Sequence, residues 1–137
     1  MQTIKTKMKI IHVAGKRKSA IARVTLKDGA GIVRVNSKLL DVYEPKMYRL
    51  KIMEPLLLAQ DAAKKVNISV DVHGGGQSSQ ADAIRLGIGK ALSQFQPSLK
   101  KVFLNYDRAL IVADVRFKET YKPNDSKARA KRQKSYR

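Results

Sequence analysis

Apolar and polar positions alternate most cleanly over Val66–Val72. Val66, Ile68, Val70 and Val72 fall on one side, and Asn67, Ser69, Asp71 and His73 on the other, the period of two that a half-buried strand needs. Ala20–Lys27 alternates in the same way, with Ala20, Ala22, Val24 and Leu26 on one side and Ile21, Arg23, Thr25 and Lys27 on the other. That is a strand with one basic, partly wet face. "KDGAG" follows as a turn whose two glycines supply positive φ, and Ile32–Asn36 reads as the returning strand of a hairpin.

Between these strands the period becomes helical. Pro45 sits near the first position of a segment striped by Met47, Leu50 and Met53. Pro55 is expected to break that segment and start another, ending near Lys65. Leu39–Tyr43 fits either state. After three glycines the strongest helix begins: Ser79 reads as its N-cap, with Asp82 three residues on as in a capping box. Ala81, Ile84, Ile88, Ala91 or Leu92, and Phe95 recur on the face toward a sheet, leaving Arg85, Lys90 and Gln94 outside. Pro97 begins a short helix to about Leu104, and Ala109–Val115 is an apolar run suited to a central or fourth strand. Beyond Phe117 no aliphatic side chain exceeds alanine, so that stretch cannot build a core. The reading is an N-terminal arm over 1–14 with room for a strand, a globular domain over 15–117 and an extended basic tail over 118–137. The fold class is α/β (α+β), two-layered: a mixed sheet of about four strands covered by helices on one face.

Composition sharpens this picture. With 137 residues, 43% of them hydrophobic, the chain has material for one modest core. Lys and Arg total 29 against 11 Asp and Glu, a net charge of +18. Such a field hinders self-association and attracts a polyanion, nucleic acid first and an acidic membrane surface second. From Arg116 onward nine basic residues less Glu119 and Asp125 leave +7, so the body keeps the other +11. The absence of cysteine excludes disulfides and thiolate metal sites and fits a cytosolic setting. No apolar run approaches the roughly 20 residues that span a bilayer, and "MQTIKTKMKIIHV", with alternating lysines and no long apolar block, does not read as a secretory signal.

The glycine stretch "VHGGGQSSQADAIRLGIGKAL" fails every test for nucleotide or acyl chemistry. Gly89-Lys90 is followed by Ala91, which lacks the hydroxyl of a phosphate loop, and Ile84 stands where its first glycine belongs. A dinucleotide fingerprint begun at Gly74 ends on Ser79. No G-x-S-x-G elbow exists to accompany "HGGG". His12 and His73, far apart in sequence and without thiols, form no metal cluster. Catalytic residues, metal and cofactor are therefore not expected. Gly74, Gly75, Gly76 and Gln77 either fold the helix back on the sheet, or meet phosphate oxygens, or both.

Two basic segments carry more signal. Lys16, Arg17 and Lys18 stand just ahead of the first strand, and "SKARAKRQKSYR" closes the chain without an acid. Ordering a backbone costs about 1–2 kcal/mol per residue; a coreless tail is not expected to recover that alone, and charge-assisted phosphate contacts could order it.

Five blocks in order, "GKRKSAIARV", "YEPKMYRLKIMEPLLLA", "GGGQSSQADAIRLGIGKAL", "LNYDRALIVAD" and "KARAKRQKSYR", resemble the small-subunit ribosomal protein S-nine family, archaeal type, from about Gly15 to Arg137. Ser79 departs from the glycine usual at that point. The resemblance implies a fold like the second domain of ribosomal protein S-five. It also implies a cytoplasmic, ribosomal protein that binds 16S ribosomal RNA in the small-subunit head beside neighbouring head proteins. Its tail would reach peptidyl-site transfer RNA. Carried onto this chain, Lys16, Arg17, Lys18, Arg23, the glycine turn, Arg85, Lys127, Arg129, Lys131 and Arg132 would meet ribosomal RNA, and Lys134, Ser135, Tyr136 and Arg137 transfer RNA. The rival readings are an RNA-processing enzyme or its RNA-binding subunit, and a chromatin-like or membrane-surface binder.

Overall fold

Strand β5, Val66–His73, is the middle strand of a five-stranded mixed sheet of order β1-β2-β5-β3-β4. The computed structural model describes residues 9–130. The remaining strands are β1 (Ile10–Arg17), β2 (Ala20–Asp28), β3 (Val33–Val35) and β4 (Lys38–Leu39). The helices are α1 (Lys46–Ala59), the single turn α2 (Asp61–Lys64), α3 (Gln77–Phe95) and α4 (Leu99–Tyr106). β3 runs parallel to β5, and every other pairing is antiparallel.

The alternation in β2 and β5 sets the layers. Leu26 lies opposite Ile68, and Val24 opposite Val70, with Ile11 and Val35 beside them on the same covered face. Helix α3 packs there with Ile84, Ile88 and Leu92 fully buried, and Ile52 of α1, Phe103 of α4 and Leu110 close the core. The opposite face of the sheet carries no helix among the described residues.

Several expectations are corrected. The hairpin is β1–β2, and residues 33–35 pair with β5 instead. The "KDGAG" segment crosses the start of β5, with Gly29 donating to the Lys65 carbonyl at 2.9 Å and Gly31 to that of Val66 at 3.0 Å. Asn67 Oδ1 accepts from the Ala30 and Ile32 amides and fixes the crossing. The chain thereby reaches the far edge of β5. Lys16 and Arg17 consequently lie within the first strand rather than ahead of it.

Pro55 stands inside α1 and is buried, and the helix stops only at Gln60, where φ is 50°. Burial of its ring offsets the roughly 3 kcal/mol an interior proline costs. Helix α3 starts at Gln77 behind Gly76, with no side-chain cap, so Ser79 lies in its first turn. Asp82 turns instead to Lys51 and Arg17. Arg85, expected outside, is only 8% exposed. Finally, Ala109–Val115 is not a strand. A 3₁₀ turn at Arg108–Leu110 leads into irregular chain, because Leu110 is drawn against α3, where a Cβ on Gly89 would come 2.3 Å from its carbonyl oxygen. The sheet has five strands because the arm and the 33–39 ribbon supply edges that this run does not.

Candidate nucleic-acid interface

The β1–β2 turn, the glycine turn and the root of the tail meet at one end of the sheet. Arg17 and Ala20 are cross-strand partners, which leaves Lys18 and Ser19 as a two-residue loop with Lys18 at φ 52°. Gly74 and Gly75 follow β5 with φ of 76° and 65°, a region open chiefly to glycine. A Cβ on Gly74 would lie 2.5 Å from the Ser19 carbonyl oxygen. The turn-forming reading of these two glycines is therefore sufficient. Gly76 meets nothing within 4 Å, and Gln77 is exposed at the start of α3.

The alternation of β1 sends Lys16 outward and Arg17 inward. Lys16 and Lys18 are exposed and make no ion pair among the described residues. Arg17, with 18% of its side chain exposed, bonds to the Arg116 carbonyl at 3.1 Å, to Asp114 at 3.2 Å and more loosely to Asp82 at 3.9 Å. It clamps the root of the tail to the body, and little of it is left for RNA. Arg116 completes the root by chelating Asp114 through two nitrogens. That guanidinium, with the Arg116 amide and then Arg17, holds the Asp114 carboxyl well below the usual carboxylate range.

Arg85 is likewise committed. It donates from Nε to Glu54 at 2.7 Å and from Nη2 to Asp107 at 2.9 Å, tying α3 to α1 and to the segment after α4. Burial opposes its charge, but the bonds to Asp107 and Glu54 outweigh that and raise its pKa. Asp107 accepts the Ala109 amide at 2.9 Å as well, and that bond, aided by Arg85, holds its carboxyl below the ordinary 3.8. A carboxylate depressed in this way stabilises the fold above about pH 4 and loses its contribution as pH falls through the lower folded value. Acidification below that point is expected to lower the thermal midpoint. Asp107→Asn should lower it at neutral pH and flatten the acid decline; an unchanged decline would assign it to other carboxylates.

Arg23 is exposed on the uncovered sheet face opposite Asp71. Lys27 and Arg34 share that face and were missed as candidates, although the alternation of β2, and of Val33 and Val35 about Arg34, already pointed them outward. Lys127 and Arg129 are exposed on the tail, where Arg129 pairs with Glu119 at 2.6 Å. Phosphate oxygens can replace that exposed partner. Lys131, Arg132, Lys134, Ser135, Tyr136 and Arg137 lie outside the described residues. Among the described residues no group of three or more His, Asp or Glu side chains could hold a metal ion, and no helix is long and apolar enough to cross a membrane.

Comparison with known proteins agrees with a basic ribonucleoprotein component. The family described as Ribosomal protein S9/S16 matches residues 15–137. A Methanococcus maripaludis (strain C7) protein named small ribosomal subunit protein uS9 is 49% identical over 134 residues, covering 95% of this chain and 100% of its own. Its namesake from Methanococcus vannielii is 48% identical with the same coverage. A Methanothrix thermoacetophila protein of that name is 43% identical over 132 residues, again with 95% and 100% covered.

Proposed function

The chain belongs to the ribosomal protein S9/S16 family, and from that premise we propose that it binds 16S ribosomal RNA in the small-subunit head and reaches peptidyl-site transfer RNA with its C-terminal residues. Membership makes it a structural constituent of the cytoplasmic ribosome, with archaeal relatives, and not an enzyme. One observation carries the finer reading. Uncommitted cations are gathered where the tail leaves the body: Lys16 and Lys18 stand beside a tail root clamped by Arg17. The body docks by neutralising phosphates and by shape. The tail, rich in Lys and Arg and without a core of its own, takes its path from the RNA around it. Neighbouring head proteins complete the set of partners.

The reading requires co-migration with small subunits on a sucrose gradient. Deleting residues 134–137 should leave that co-migration intact while peptidyl-site transfer RNA dissociates about tenfold faster, the loss of one or two charge-assisted bonds. Unchanged transfer-RNA retention on purified subunits would count against the tail's role.

A further inference from the structure

Beside the β1–β2 turn the tail root borders an open hollow of about 550 Å³, lined by Lys16, Lys18, Ser19, Arg116, Phe117 and Lys118. Four of the six are cations and none is an acid. Phe117 is 70% exposed, and its ring is not part of the hydrophobic core cluster. Its position is nonetheless held. Arg17 grips the carbonyl of Arg116, the residue immediately before it, and the Asp114 carboxylate two residues further back. On the other side the Lys118 ammonium lies 5.1 Å from the centre of the Tyr121 ring. An aromatic face is thus presented beside cations on a backbone anchored to the body.

The geometry points to a site for one unstacked RNA nucleotide, its base stacked on Phe117 and its phosphate held by Lys16, Lys18 and Lys118. Lysine ammonium groups suit phosphate oxygens, and any base offers a π face to an aromatic ring. A ring is of no use to the backbone of a continuous duplex, whose bases are already stacked, so the site favours single-stranded or bulged RNA over paired RNA. Asp114 and Arg17 act here as positioning groups that keep the hollow open before RNA arrives. This inference rests on the reading of the chain as an RNA binder and adds where and how a base is taken.

The chain has no tryptophan, so Phe117→Trp places a single reporter in the site. The full-length variant is titrated with a 12-nucleotide single-stranded RNA, with a duplex of the same length and with inorganic polyphosphate, while the anisotropy of labelled RNA reports binding separately. Leu57→Trp is the control, since Leu57 is exposed beside Gly31 and Lys64, at the other end of the strands. The expected result is strong quenching of the Phe117→Trp indole by single-stranded RNA only, with little change in the Leu57→Trp control. Phe117→Ala should weaken single-stranded binding about tenfold and leave duplex binding unaltered. Equal quenching by duplex or polyphosphate, or tight binding by anisotropy without quenching in the Phe117→Trp variant, overturns the stacking site while leaving RNA binding in place. Absence of binding to every RNA overturns the parent reading as well.

Discussion

Removal of residues 118–137 is expected to cut the affinity for ribosomal RNA by roughly a thousandfold at low salt. The segment contains Lys118, Lys122, Lys127, Arg129, Lys131, Arg132, Lys134 and Arg137 against Glu119 and Asp125, so its loss takes +6 from the +18 of the chain. Each neutralised phosphate releases counterions, and the slope of log affinity against log salt changes by about 0.7 per contact on single strands and 0.9 on duplex. Six to eight lost contacts therefore flatten that slope by about 4–7 units. The truncated body, still strongly basic, should keep binding with a shallower dependence. Its thermal midpoint should hardly move, because none of residues 118–130 belongs to the buried core. Salt titration and a melt of the same preparation check both halves; an unchanged slope with a lowered midpoint would mean that the extension is part of the domain and not its RNA-seeking arm.

Gly15→Ala is expected to be the most damaging small substitution in the body. An added Cβ would sit 2.1 Å from the Ala83 carbonyl oxygen and 2.7 Å from the Gly87 amide nitrogen, both backbone atoms of α3. No side chain can rotate away, so β1 or α3 must shift, at a cost of about 3 kcal/mol or more. For a domain of this size that is a fall of roughly 10 °C or more in midpoint. The shift also moves Lys16 and Arg17, which follow directly, so RNA binding should weaken along with stability. Gly76→Ala is the control: nothing lies within 4 Å of its Cβ position and its φ is −98°, so no clash arises and only the poorer N-cap of alanine is at stake, about 0.5–1 kcal/mol. A Gly15→Ala melt superimposable on that of Gly76→Ala would show that the close approach of β1 to α3 does not limit stability.

Much of the layering was legible in the chain because it depends on local periods. Val66–Val72 and Ala20–Lys27 could bury one side only as strands, and the Ala81–Leu92 spacing only as a helix. Strand partners are a different kind of information. Which neighbour Val33–Val35 chooses depends on where "KDGAG" passes the end of β5, and that path is fixed by the side chain of Asn67, far along the sequence. The site shows the same division. Charge points Lys16 and Lys18 to the surface, alternation points Arg23 there, and all three are exposed. Helical spacing points Arg85 outward too, yet it is buried, because Glu54 and Asp107 arrive from two other segments to meet it. A hint was available, since α3 is small or apolar nearly all round from Ala81 to Leu92 and so has neighbours on more than one side. The inward turn of Arg17 could also have been read, from its parity with Ile11, Val13 and Gly15.

The grip of Arg17 on residues 114–116 alters the statistics of capture. A basic peptide free in solution finds a distant anion at its bulk concentration. Here the chain beyond residue 117 starts from a point fixed on the body, and any twenty residues behaving as a flexible chain would span about 25 Å on average. The tip of such a coil samples a volume equivalent to millimolar concentration around the body. A weak second contact anywhere in that volume would be occupied most of the time and still be released quickly, the combination that the proposed hold on transfer RNA calls for.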